Sequence, residues 1–172
     1  MRRLLVDRRW PAVATFLVML AASPAALAGA VLQPPLVNVT AGRLGIDRDV
    51  DDPTTYGLEY RHRPVGRWQL VPAIGAARAE NGASFVYAEV KRDFRFASGV
   101  VVTPSFGLAR FEESVELRLG QALEFRSGLE LAYEMRSGWR LGLALYHLSN
   151  AGLAPENPGS EGLVVSISLP TD

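Results

Sequence analysis

The chain of 172 residues carries 18 basic and 18 acidic side chains, is 48% apolar and contains no cysteine. That length suits one domain, and the balanced charge gives no electrostatic footprint for nucleic acid. Without cysteine there is no disulfide framework, thiolate metal site or cysteine nucleophile, and two histidines leave little for a metal centre.

Residues 1–28 have the form of a cleaved secretory signal peptide. Arg2, Arg3, Arg8 and Arg9 form a basic start, residues 12–22 are apolar, and Ala26-Leu27-Ala28 supplies the small-x-small cleavage pattern. The apolar run is far short of the roughly 20 residues that a membrane-spanning helix needs. Removal of this segment leaves residues 29–172, expected to form a single domain of 144 residues with 14 basic and 17 acidic side chains. No later stretch is apolar enough for a spanning helix, so any crossing of a membrane falls to strands.

Strand periodicity runs through the rest of the chain. Weak alternation at 36–44 comes first. At 56–63, Tyr56, Leu58 and Tyr60 alternate with Gly57, Glu59, Arg61 and Arg63. A weak stretch at 68–79 precedes 84–96, where Val86, Ala88, Val90, Phe94 and Phe96 oppose Tyr87, Glu89, Lys91 and Asp93. Weak alternation returns at 100–111. The clearest case is 121–135, with Leu123, Phe125, Leu129, Leu131 and Tyr133 on one face and Glu124, Arg126, Glu130 and Glu134 on the other. Segments 139–150 and 162–169 complete eight candidate strands. Their lengths approach the 9–11 residues of tilted transmembrane strands.

Short turns at 64–66, 97–99 and 136–138 alternate with mostly longer connections at 46–55, 80–83, 112–120 and 150–161. Tyr60, Trp68, Phe94, Phe96 and Trp139 gather near the short-turn rim. Short periplasmic turns, long outer loops and an aromatic girdle describe an outer-membrane barrel. A soluble lipid-carrying barrel has the same alternation turned inside out. The many charges on one face favour a polar lumen, with Glu124, Arg126, Glu130 and Glu134 read as lumen ion pairs. The expected fold is therefore an all-β, eight-stranded antiparallel transmembrane β-barrel. Arg78 and Arg92 on the outward face, Pro72 and Pro104 within strands, and the non-aromatic end Leu-Pro-Thr-Asp depart from the ideal pattern.

Catalytic signatures such as G-x-S-x-G, the P-loop and H-E-x-x-H are missing. One constellation remains: His147, Ser149 and Asn150, a Pro/Gly/Asn-rich loop, and Glu161. His147 and Ser149 share a face because side chains repeat every two residues. A register pairing Trp139 with Leu169 also sets His147 opposite Glu161. Serine, imidazole and carboxylate in that order are the parts of an activated nucleophile. From spacing alone, polar groups at the membrane interface explain them equally well.

These residues, His147-Leu148-Ser149-Asn150-Ala151-Gly152 followed by Asn157-Pro158-Gly159 and Glu161, resemble the H-x-S-N-A and N-x-G-x-E motifs of the PagL family of lipid A 3-O-deacylases. The resemblance is specific over about fifteen residues and architectural elsewhere. It implies an outer-membrane serine esterase that removes the 3-O-linked primary acyl chain of lipid A in lipopolysaccharide, with no cofactor and no metal. It assigns Ser149 as nucleophile, His147 as general base and acid, and Glu161 as the orienting carboxylate. Gly152 and Asn157 match positions that supply oxyanion-stabilising amides, and Asn150 a supporting position. Some relatives pair as homodimers, so a homodimer in the outer-membrane lipid is an expectation too. The competing reading from another class is a non-enzymatic barrel with a structural or adhesive role. A palmitoyltransferase barrel is disfavoured by the charged lumen. His62, between Arg61 and Arg63, reads as an interfacial residue. The acidic loop at 47–52 reads as solvated rather than as a divalent-cation site.

Overall fold

The computed structural model describes residues 33–46 and 52–171. The expected signal peptide and most of the acidic loop at 47–52 lie outside the described residues. Nine strand segments follow one another: β1 (Leu36–Leu44), β2 (Thr54–Arg61), β3 (Leu70–Ala79), β4 (Ser84–Arg92), β5 (Phe94–Arg95), β6 (Val100–Glu112), β7 (Leu123–Glu134), β8 (Arg140–Ser149) and β9 (Ser160–Pro170). Each pairs antiparallel with its sequence neighbour, apart from β4 and β5, which run end to end and both pair with β6. β1 also pairs with β9, from Leu36↔Pro170 to Leu44↔Gly162, which closes an eight-stranded barrel. Closure leaves no sheet edge unpaired among the described strands, as a lipid environment requires. The seam is stitched past its end, where the Thr171 amide donates to the Pro35 carbonyl at 2.9 Å.

The short β5 continues β4 without a change of register, since Lys91↔Ser105 and Phe94↔Val102 belong to one ladder. The interruption between them faces Pro104, whose nitrogen has no hydrogen to donate. Asp93, at the break, bonds instead through its side chain, to Thr103 Oγ1 at 2.9 Å and to Arg140 at 2.7 Å.

Burial settles which face points where. Val86, Leu131, Leu141 and Val165 are 50–56% exposed, whereas Glu59, Glu89, Lys91 and Glu130 are 2–5% exposed. A soluble carrier would show the reverse. Tyr60, Trp68, Phe96 and Trp139 stand exposed toward the short-turn rim, where an aromatic girdle meets the membrane interface.

The lumen has two tiers. In the lower tier Arg61 bridges Glu59 (2.6 Å) and Glu130 (2.7 Å). Lys91 reaches Glu59 at 3.1 Å and also contacts Glu89, and Arg126 pairs with Glu89. The Arg126 guanidinium lies between the rings of Tyr87 and Tyr146, 4.3 and 4.4 Å from their centres. Both rings fit because of glycines on adjacent strands: a Cβ on Gly75 would meet Tyr87 at 2.4 Å, and one on Gly162 would meet Tyr146 at 2.2 Å. Above this layer the upper tier is apolar. Leu44, Phe85, Phe111 and Leu148 pack there with Leu117 and Leu119.

Those two leucines come from the connection between β6 and β7, expected to be a plain outer loop. It folds over the mouth instead. Glu113 Oε1 accepts the amides of Leu119 and Gly120, each at 2.9 Å, and so shapes the segment that inserts both side chains. Glu124 also departs from expectation. It faces the lumen, but in the apolar tier, and neither carboxylate oxygen has a hydrogen-bond partner among the described residues. Among the described residues, the lumen side chains leave between them a pocket of about 30 Å³, far too small for an acyl chain.

Candidate active site

The outer end of the β8–β9 hairpin gathers the sequence's one reactive constellation. His147 and Glu161 are direct cross-strand partners, the register anticipated from the Trp139–Leu169 pairing. His147 Nδ1 and Glu161 Oε1 are 2.8 Å apart, and the two side chains are 42% and 32% exposed. A carboxylate at Nδ1 favours the tautomer with its proton on that nitrogen, which puts the acceptor lone pair on Nε2. The pair stands on the apolar outward face, reachable from the lipid side.

Ser149 is the last residue of β8. Alternation turns it to the face of His147, and it is 8% exposed. Its partner across β7 is Phe125, whose ring stacks on Phe106 with centroids 6.0 Å apart. An apolar wall therefore flanks the hydroxyl.

The loop after β8 is organised by Asn150, which is fully buried. Its Nδ2 donates to the Glu156 carbonyl at 2.8 Å and to the Leu119 carbonyl at 3.3 Å. One side chain thus ties the loop after β8 to the loop that plugs the mouth. Asn150 Oδ1 accepts the Gly152 amide at 2.9 Å, and the Asn150 amide donates to Asn157 Oδ1 at 3.0 Å. All three residues expected around an oxyanion are therefore held in one network, with the Gly152 amide directed at Asn150. Ala151 has a φ of 54°, a left-handed conformation costly for a residue with a Cβ and common at functional sites.

Gly159 was legible in the sequence only as part of a motif, without a role. Its φ is 65°, and a Cβ built on it would lie 2.9 Å from His147 Cε1 and 3.5 Å from Nε2. The glycine backbone therefore packs against the edge of the imidazole. Glu161 holds one side of the ring and Gly159 crowds the other. His62 lies at the opposite end of the barrel wall, exposed, with Nδ1 2.9 Å from the Arg63 carbonyl, and takes no part in the site.

A closed eight-stranded wall, apolar outside and ionic within, is the architecture of outer-membrane barrel proteins, and here the polar pair His147–Glu161 stands on its outward face. The chain belongs to the PagL family: the family model described as lipid A 3-O-deacylase (PagL) matches residues 54–170. Among solved structures it is similar to the outer-membrane enzyme PagL, with 20% identity and a TM-score of 0.67, covering 79% of this chain and 99% of that one. The N-terminal β-barrel domain of Pseudomonas aeruginosa OprF gives 14% identity and a TM-score of 0.56, covering 80% of this chain and 98% of that domain. Neisserial surface protein A gives 12% identity and a TM-score of 0.56, covering 80% and 96%. No curated protein matches. The protein is thus an outer-membrane ester hydrolase that acts on lipid A, and the structural or adhesive alternative falls away.

Proposed function

We propose that Ser149, His147 and Glu161 form the catalytic triad of this lipid A 3-O-deacylase, on the lipid-facing outer rim. The observation that carries the proposal is the 2.8 Å contact of His147 Nδ1 with Glu161 Oε1, with Ser149 two residues away on the same face. Ser149 Oγ attacks the carbonyl carbon of the 3-O-linked ester, and its proton passes to His147 Nε2. Collapse of the tetrahedral intermediate breaks the bond to the sugar oxygen, which leaves as a hydroxyl carrying that proton. Water, deprotonated by the same nitrogen, then attacks the acyl-serine and releases the fatty acid and Ser149. Glu161 keeps the imidazole oriented and stabilises it while charged.

The family resemblance assigns Gly152 and Asn157 as the oxyanion donors; Asn150 holds both, and the Gly152 amide exchanges its bond to Asn150 Oδ1 for the oxyanion as the tetrahedral intermediate forms. A well-aimed donor of this kind is worth about 3–4 kcal/mol in the transition state. The pairing of two barrels as a homodimer belongs to the same proposal and rests on the family resemblance.

Mass spectrometry of lipid A from a Gram-negative host expressing the chain or its Ser149→Ala variant tests the proposal. The parent is expected to remove one hydroxyacyl group and the variant none, while both give folded, heat-modifiable barrels. Equal deacylation by the two would remove Ser149 from the mechanism.

A further inference from the structure

On the wall away from the β8–β9 site, the outer face of β2, β3, β4 and β6 carries a groove of about 520 Å³. Cross-strand pairing lays out its floor. The row Leu58↔Ala76↔Val86↔Arg110 runs beside the row Tyr56↔Arg78↔Ser84↔Glu112. Ala76 and Ser84 are small, so a depression forms between exposed Leu58, Val86 and Tyr56. Arg78 is the last outward residue of β3, and Arg110 stands near the outer end of β6, about 10 Å away across two strand spacings. Both are exposed.

Within the described residues neither guanidinium has an ion pair or side-chain hydrogen bond, in contrast to the closely paired cations of the lumen. The carboxylate at the groove, Glu112, accepts from Ser84 Oγ at 3.4 Å. Two cations on a lipid-facing wall are costly unless an anion meets them. Their height at the outer ends of the strands is where lipid phosphates of the outer leaflet lie, with acyl chains descending along Leu58, Ala76 and Val86.

We infer that this groove is a non-catalytic binding site for one lipid A molecule, its phosphates on Arg78 and Arg110 and an acyl chain in the depression over Ala76. A phosphorylated, multiply acylated glycolipid matches the combination of two cations, one beside and one outward of the row Leu58–Ala76–Val86, with an apolar trough between them. The inference rests on the barrel's place in the outer membrane and not on the triad, so failure of one leaves the other standing.

The test is native mass spectrometry of the full chain in detergent, carrying Ser149→Ala to prevent turnover, titrated with bis-phosphorylated lipid A. Addition of Arg78→Gln and Arg110→Gln is expected to weaken retention of one lipid copy by roughly tenfold or more, since each charge-assisted contact is individually strong. Lipid A stripped of its phosphates should bind both forms alike. With Ser149 intact, the double variant should hydrolyse a soluble short-chain ester within about twofold of the parent, which separates lost binding from lost folding. Equal retention with and without the arginines would overturn the site. Displacement of lipid A by an equal concentration of phosphatidylglycerol would overturn the assignment of its occupant.

Discussion

Replacement of Gly159 by alanine isolates how tightly the imidazole must be held. The added Cβ falls 2.9 Å from His147 Cε1, about half an ångström or more inside ordinary carbon–carbon contact. The ring must shift by a comparable amount, or the loop must recede. Misplacement of a reacting group by about 1 Å costs on the order of a hundredfold in rate, so a shift of half that predicts a fall in kcat of about ten- to a hundredfold with little change in KM. Alanine at a left-handed φ adds a separate backbone penalty of about 1–2 kcal/mol. Gly66 provides the control: its φ of 66° is nearly the same, and nothing lies within 4 Å of its built Cβ. Gly159→Ala and Gly66→Ala should therefore lose similar thermal stability in detergent, while only the former loses lipid A hydrolysis. Activity of Gly159→Ala within twofold of the parent, or an equal loss in Gly66→Ala, would refute the idea that Gly159 positions the ring.

Two further outcomes concern the lumen. Arg61→Met leaves Glu130 without its guanidinium in a buried layer and is expected to cost about 3–5 kcal/mol, read by urea unfolding in detergent; addition of Glu130→Gln should recover part of that loss, and a loss below about 1 kcal/mol would contradict it. Leu119→Ala removes a fully buried side chain and should cost about 2–5 kcal/mol, with faster proteolysis between residues 113 and 122. An unchanged cleavage rate would show that the plug is not held by its leucines.

Most of the wall could be read from the chain because a two-residue period reports directly which side chains share a face. The strong stretches around Glu59, Lys91 and Glu130 even specified an ionic interior. Periodicity says nothing about height along the barrel, however, and that is why Glu124 looked like one more member of an ion pair. It shares a face with Arg126 but sits one layer higher, opposite Ala109 of the apolar cluster. The plug was hidden for a similar reason: residues 113–120, rich in Glu and Arg, have the composition of a solvated loop, and only the closed barrel mouth offers Leu117 and Leu119 a place to go. In the candidate site, His147, Ser149 and Glu161 were visible through spacing and register. Gly159 was not, because a glycine's contribution lies in the side chain it lacks, and what it leaves room for appears only once the loop folds back.

The filled bore also determines how material reaches and leaves this protein. A salt-bridged floor and a leucine stopper fill the cylinder among the described residues. With the triad proposed on the outward face, lipid then arrives by sliding along the leaflet, and the trimmed glycolipid departs the same way.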